Sequence, residues 1–314
     1  MVVVSGTKIA GEIGTSRSEV WRLMQQLRGL GVDVAGHLAT GYRLRAVPDL
    51  LLPEMIAPLV KGTIFATDHE KHLHHYYKVG STNSEAMAAA AEGAPEGSVF
   101  LAEEQLAGRG RGARSWHSAR SAGIYCSVIL RPPIPPSDAL LLSLAAGLAV
   151  HAAVTEIMLL PADLKWPNDL LIGGKKFCGI LAEMNAEATQ VRHLVVGVGI
   201  NVNQAKFPAE LREIATSLRM ETGTEWSRVE LCAALLKSLD REYRALLNHG
   251  AAARSSVLKR FEENSSSARG CKVRIEEGDE VEGVTDGLDA RGFLQVRTAG
   301  GVRTVLSGTV RVIG

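Results

Sequence analysis

The chain has 314 residues, too many for one ordinary domain, and its 46% hydrophobic and 22% charged content excludes a disordered or fibrous protein. Thirty-five Lys and Arg against 34 Asp and Glu leave a formal charge of +1, so anion binding must be local rather than a property of the whole surface. Cys126, Cys178, Cys232 and Cys271 lie far apart with no CxxC pair, which argues against a disulfide framework or zinc ribbon and for reduced thiols. Met1 to Gly6 is too short an apolar run for a signal peptide. The stretch Ala139 to Leu160 is interrupted by Ser143, His151, Thr155 and Glu156, so it reads as a buried helix and not a membrane span. The expected location is the cytoplasm.

In chain order, Lys8 to Ile13 predicts a short helix, Gly14 and Thr15 a turn, and Arg17 to Arg28 a second helix. Ser16 and Glu19 have capping-box spacing. Val20, Leu23, Met24 and Leu27 share one face, with Arg17, Arg22, Gln25 and Arg28 largely on the other. Val32 to Arg45 reads as a hairpin bending near Gly36 and Gly41. Helix, turn, basic helix and hairpin describe a partial winged helix-turn-helix over residues 1–48, with Arg17, Arg22 and Arg28 as candidate DNA contacts. Six basic against three acidic residues leave this piece at +3, which suits a phosphate backbone. A small helical cap with a solvated basic face accounts for the same pattern. A winged helix normally has a further helix before this pair, and only Met1 to Thr7 precede it here, so weak binding to operator-like DNA is expected.

Residues 64–264 read as the main domain, mixing strands and helices. Ser98 to Glu103, Ile124 to Leu130 and His193 to Asn203 are predicted strands, and Asp138 to Leu160 is a long helix stopped by Pro161. Asp169 to Ile172 and Lys176 to Met184 flank Gly173 and Gly174, a pair suited to a tight hairpin turn. Ser227 and Glu230 form a capping box that opens a helix running to Gly250. Hairpins among helices predict an α+β fold with a mixed, largely antiparallel sheet. After the polar linker Ser265 to Ser267, residues 268–314 alternate short β runs with turns at Glu277 to Asp279, Asp289 to Gly292 and Ala299 to Gly301, the pattern of a small β barrel.

Three arginines and three glycines fall within Gly108 to Arg114, just before Trp116, where neither helix nor strand core can form. Glycines let the backbone approach a ligand, and arginines supply donor forks for phosphate or carboxylate. This segment reads as a mobile clamp for a nucleotide-like anion rather than an RNA-binding repeat. Lys165, Trp166, Pro167, Asn168 and Asp169, followed by Lys176 and Gly179, gather cations, an amide and a carboxylate near one strand end. Such a set neutralises phosphates, holds Mg²⁺ and orients a nucleophile. Ser81, Thr82 and Asn83 precede a helix over Ser84 to Glu92; Thr82 and Glu85 have capping-box spacing, and a helix start also offers polar groups to a ligand. Gly197, Gly199, Asn201 and Asn203 form a weak signal, because GxG without its third glycine is no dinucleotide fingerprint. His72, His74 and His75 fit a packed strand better than a metal site, and Glu103 and Glu104 point to opposite faces of a strand. There is neither a GxSxG elbow nor a P-loop.

In this order the motifs resemble the biotin–protein ligase family, in its bifunctional ligase/repressor branch, over nearly the whole chain. The resemblance implies a central sheet related to class II aminoacyl-tRNA synthetases and a C-terminal SH3-like barrel. It implies ATP, Mg²⁺ and biotin as ligands, a biotin carboxyl carrier protein or domain as partner, and it allows a homodimer. Biotin would be held by Ser81, Thr82, Asn83, Gln105, Gly108, Arg109, Lys176 and Gly179. The nucleotide would be held by Arg111, Trp116, Lys165, Asn168, Lys176 and Asn201, with Arg111, Lys176 and Asp169 catalytic and Asp169 supporting the metal. Gly112 comes one place early in the family loop and Ala113 stands where glycine is usual, so altered loop dynamics are expected. A lipoate or octanoyl ligase and a non-catalytic biotin-responsive repressor are the competing readings.

Overall fold

The computed structural model describes residues 3–29, 32–37, 40–46, 49–66, 72–112, 114–158, 160–276 and 281–313. The chain divides into two compact units, residues 1–50 and 51–314.

In the first unit, β1 (Val3–Val4), α1 (Gly6–Glu12), α2 (Arg17–Gly29), β2 (Val34–His37) and β3 (Gly41–Leu44) follow one another, and the strands pair antiparallel in the order β1-β3-β2. Ser5 and Ser16 cap the two helices, accepting the Lys8 and Glu19 amides at 3.1 Å each. Gly41 has φ +111°, and a Cβ there would stand 2.3 Å from the Val4 carbonyl oxygen, so glycine is what lets β1 lie against β3. On α2 Val20 is buried and Leu23, Met24 and Leu27 are half-buried, as the apolar stripe predicts. At two residues, β1 is too short for any periodicity to announce.

The second unit is built on a seven-stranded sheet: β4 (Leu73–Tyr76), β5 (Val99–Ala102), β6 (Gly123–Leu130), β7 (Asp163–Lys165), β8 (Asp169–Ile172), β9 (Lys175–Ala186) and β10 (Val191–Asn201), in the order β4-β5-β6-β10-β9-β8-β7. β4 and β5 run parallel and the other pairs antiparallel, which makes the sheet mixed. Helices α3 (Pro53–Ile56), α4 (Thr82–Ala91), α5 (Ala139–Met158), α6 (Leu218–Thr222) and α7 (Arg228–Glu263) complete it. One sheet face, with Leu101, Ile124, Cys126 and Val128, packs on α5 and α7; the other, with Phe100, Ile129 and Val195, packs on α4. Cover on both faces explains why β5 and β6 are buried at every position. The segment Pro136–Ile157 is long and apolar enough to cross a membrane, yet 67% of its most apolar stretch is buried in the protein, as in a core helix.

The helix opened by Ser227 breaks at Gly250 (φ 48°, ψ −118°), where its sequence predicts an end, and a further helical run follows to Glu263, with Ala253, Val257 and Phe261, spaced by four, buried against the core. Two expectations change. The Thr82–Glu85 capping box does not form, since Ser81 is the residue before the helix and Thr82 gives its amide to Gln105 Oε1 at 2.9 Å. Leu51, Ile56 and Val60, ahead of the predicted domain start at residue 64, are fully buried in the core of this unit.

The chain closes in a five-stranded antiparallel sheet, β11 (Arg269–Glu276), β12 (Val281–Leu288), β13 (Leu294–Thr298), β14 (Gly301–Val305) and β15 (Thr309–Val312), ordered β14-β13-β12-β11-β15. Two of its predicted turns form, at Asp289 to Gly292 (Gly292 N to Asp289 O, 2.9 Å) and before Gly301; the third, Glu277 to Asp279, lies outside the described residues.

Candidate functional site

Alternation along three neighbouring strands lays out the floor of the site. Tyr125 of β6, Gly199 of β10 and Gly179 of β9 are in register, and so are Ser127, Gly197 and Leu181 one step on. Gly179 and Gly199 have no side chain to fill the space above them, and the Trp116 indole lies there. A Cβ on Gly199 would stand 2.6 Å from Trp116 Cε2, and one on Gly179 would stand 2.8 Å from Cζ3. The weak glycine signal of the sequence is thus a depression in a β sheet. Trp116 Nε1 is buried with no hydrogen-bond partner among the described residues, a donor left for a ligand to satisfy.

Above this floor is a cavity of about 550 Å³, within the size range of small-molecule sites. Ser81, Thr82, Asn83, Gln105, Arg109, Arg111, Trp116, Lys165, Asn168, Asp169, Lys176, Gly179 and Asn201 all line it. Gly108 does not. It stands behind the wall, where a Cβ would meet the Trp116 carbonyl oxygen at 2.5 Å, so it lets the loop close on itself.

The glycine–arginine loop between β5 and β6 is a short hairpin. Trp116 N donates to Gly108 O at 2.8 Å and Gly110 N to Arg114 O at 2.7 Å, with Gly112 at φ +59° near its tip; Ala113 lies outside the described residues. Among the described residues no strand forms in this segment, as its sequence predicts; a single isolated bridge, Arg109 to Ser115, closes it. Arg111 Nη1 reaches Asn168 Oδ1 at 3.3 Å, and Arg114 Nη2 donates to Thr309 Oγ1 of β15 at 2.8 Å. The C-terminal sheet thus touches the loop, and Thr309 and Arg311 line the cavity, a contribution with no local sequence signal.

Opposite the loop, Gly173 (φ +56°) and Gly174 (φ +79°) make the tight turn their sequence predicts. Lys176 follows it, with its backbone held on both sides: its N–H donates to Ile214 O (2.8 Å) and its carbonyl accepts the Thr216 amide (3.0 Å). Its Nζ is 2.6 Å from Asp169 Oδ1 and 5.4 Å from the centre of the Trp116 ring. Asn168 is fixed by Nδ2 donating to Ile180 O at 2.7 Å, and Asn201 by Nδ2 donating to Thr216 O at 3.0 Å. Ion pair, amides and arginines converge on one wall, an arrangement suited to a ligand carrying phosphate or carboxylate.

At the other end Thr82 and Gln105 meet. Gln105 Oε1 accepts from Thr82 N at 2.9 Å, and Gln105 Nε2 donates to Ser118 Oγ at 2.9 Å. Ser127 and Glu183 join this group and were not among the sequence candidates. Ser127, the one serine in a strand of mostly apolar residues, carried a signal; Glu183 carried only its place on an alternating strand. Among the described residues no metal-binding cluster gathers at the histidines: His74 stacks on Phe100 with ring centroids 4.5 Å apart, and His75 Nε2 lies 3.2 Å from Glu103 Oε1.

Two family models match the chain: the Biotin/lipoate A/B protein ligase family over residues 80–201, and the Biotin protein ligase C terminal domain over residues 269–312. The bifunctional ligase/repressor BirA of Bacillus subtilis is 36% identical over 98% of this chain and 94% of its own length. The biotin–[acetyl-CoA-carboxylase] ligase of Mycobacterium tuberculosis is 37% identical over 74% of this chain and 86% of its own. Among solved structures, the biotin protein ligase of Aquifex aeolicus in complex with biotin and ATP superposes with a TM-score of 0.67 at 30% identity, covering 77% of this chain and 100% of the other.

Proposed function

The chain belongs to the biotin protein ligase family, and from that premise we propose that it activates biotin with ATP and transfers it to one lysine of a biotin carboxyl carrier protein. The observation that carries this reading is the cavity itself. Its floor is a pair of facing glycines under an indole with an unpaired N–H, and its wall holds Lys176, Arg109 and Arg111.

A biotin carboxylate oxygen attacks the α-phosphorus of ATP, and pyrophosphate leaves. Lys176 is placed to neutralise the charge that accumulates between the two anions, with Asn168 and Asn201 as fixed donors and Lys165 at the outer edge. Ser81, Thr82, Asn83, Gln105 and Arg109 take the biotin head and tail, while Gly108 lets the loop close behind the wall and Gly179 leaves room on the floor for the Trp116 ring. In the second step the carrier lysine amine attacks the acyl carbon, AMP leaves, and the amine proton is lost. Asp169 supports this step and would hold Mg²⁺. Among the described residues no three His, Cys, Asp or Glu side chains gather around a metal, so Mg²⁺ would arrive on the triphosphate and meet one carboxylate. Buried thiols at Cys126, Cys178 and Cys232, none in a disulfide, accord with a reducing, cytoplasmic setting.

Biotin-dependent exchange between ATP and pyrophosphate tests the reading. Biotin should support it and lipoate should not; exchange with lipoate alone would move the chain to the other branch of the family.

Arg111 should retain the adenylate. It sits between glycines and its guanidinium crosses to Asn168, so Arg111→Gly is expected to release biotinyl-AMP and biotinylate bystander lysines, scored by mass spectrometry of added proteins. Normal turnover with unchanged selectivity would remove Arg111 from that role.

For the first unit we propose weak DNA binding at most. Of the three candidate arginines, Arg22 is ion-paired with Glu19 and Arg28 Nε donates to the Val34 carbonyl at 2.8 Å, which diverts two charges from phosphate. Gel-shift titration with biotinyl-AMP should give salt-sensitive, unselective retardation. Tight, sequence-selective binding at physiological salt would contradict this.

A further inference from the structure

A carboxylate outside the proposed ligand set organises one end of the pocket. Glu183 on β9 is in register with Val195, which puts it on the same sheet face as Gly179 and Leu181. It grips both ends of the Arg109 guanidinium, Oε1 to Nη2 at 2.8 Å and Oε2 to Nη1 at 3.1 Å. The same Oε2 accepts Asn83 Nδ2 at 3.0 Å.

An ionised carboxylate only accepts hydrogen bonds. Glu183 therefore decides which end of the Asn83 amide points where: Nδ2 toward Glu183 and the Leu181 carbonyl (3.3 Å), Oδ1 toward Ser127 Oγ at 2.6 Å. Ser127 has one proton, and Asn83 Oδ1, which can only accept, takes it at 2.6 Å; Thr82 Oγ1, 2.8 Å from Ser127 Oγ and 3.1 Å from Gln105 Oε1, then has only acceptors to meet and must donate. Gln105 Oε1 accepts the Thr82 amide as well. A direction set at one carboxylate passes through an amide and two hydroxyls to the start of α4. Gly197 protects the arrangement from below, because a Cβ there would stand 1.9 Å from Asn83 Oδ1.

We propose that Glu183 is a positioning residue for biotin. It fixes the donor–acceptor polarity of the Asn83–Ser127–Thr82 chain that reads the ligand's polar head, and it ties that chain to Arg109 on the glycine–arginine loop. A ureido head, with two donors and one acceptor, needs partners whose polarity cannot flip. The inference rests on the biotin reading above.

The test is pyrophosphate exchange by the full chain, with biotin and ATP varied separately. Glu183→Gln keeps the shape but loses the charge and lets the amide face either way. Its KM for biotin should rise about 10- to 100-fold, since hydrogen bonds to charged groups are the strong ones. Its kcat and KM for ATP should stay within about twofold. Gly197→Ala displaces the same amide from the opposite side and should give the same split. Asn83→Ala combined with Glu183→Gln should lose no more than Asn83→Ala alone, because one acts through the other. A packing role would instead lower the Tm of Glu183→Gln and move both KM values together. Either that pattern or an unchanged KM for biotin overturns the proposal. Absence of biotin-dependent exchange in the unaltered chain would overturn the function instead, so the two failures are distinguishable.

Discussion

Lys176→Ala is expected to slow adenylate formation by about 10²–10³-fold, the usual cost of losing one preorganised donor at developing charge. Lys176 is held for that purpose by its backbone bonds to Ile214 and Thr216, and its ammonium lies 2.6 Å from Asp169. Supplying biotinyl-AMP bypasses the slow step, so transfer by Lys176→Ala should recover at least in part. Asp169→Ala should differ. If this carboxylate orients the incoming lysine, transfer stays slow even from supplied adenylate; the adenylation step also suffers, since Lys176 loses its counter-ion. Single-turnover assays of both variants, with and without adenylate, separate the half-reactions. Equal rescue of the two would refute the division of labour, and near-normal activity in both would remove the site.

The parts of this site that were legible in the sequence are those whose cause is local. Gly173 and Gly174 dictate a turn through their own backbone freedom, and that turn places Lys176. The arginines between Gly108 and Trp116 cannot be explained as core, so they declare themselves a ligand loop. What was hidden depends on strand partners chosen elsewhere in the chain. Glu183 matters because β9 lies next to β10 and brings it to Asn83, one hundred residues away in sequence. The roles of Gly179 and Gly199 appear only once the two are known to face one another across a ladder. Gly250 is a local stop signal and breaks α7 where the sequence places it, whereas the helical run beyond it depends on tertiary burial of Val257 and Phe261. The Thr82 cap failed because Gln105, in the segment after β5, offered the amide a partner.

The same non-local logic produces the largest expected effect on stability. Arg228 opens α7 and is fully buried, and its Nη1 donates to Glu103 Oε2 at 2.8 Å and to the Gly123 carbonyl at 3.1 Å. Glu103 Oε1 also accepts the Leu51 amide at 2.8 Å and lies 3.2 Å from His75 Nε2. Burial by itself would push the Glu103 carboxyl up. The His75 hydrogen bond, the Arg228 charge and the Leu51 amide together outweigh it and hold the group below the usual carboxylate range. Arg228→Met removes the compensating charge from a buried carboxylate and should cost about 3–5 kcal/mol at pH 7. Denaturant unfolding, with the slope m unchanged, measures this. The pH dependence carries the sign. In the unaltered protein the lowered folded pKa contributes stability above the unfolded value of about 4.3, lost as pH falls through the folded one. In Arg228→Met the carboxyl, left with only His75 and the Leu51 amide, titrates higher, so its penalty is largest at neutral pH and shrinks as acid protonates Glu103. The stability gap between the two proteins should therefore narrow from pH 7 toward pH 4, and Glu103→Gln in the Arg228→Met background should recover part of the loss at pH 7. A gap that stays constant with pH, or that the second substitution widens, would show that Arg228 stabilises by packing and not by its charge.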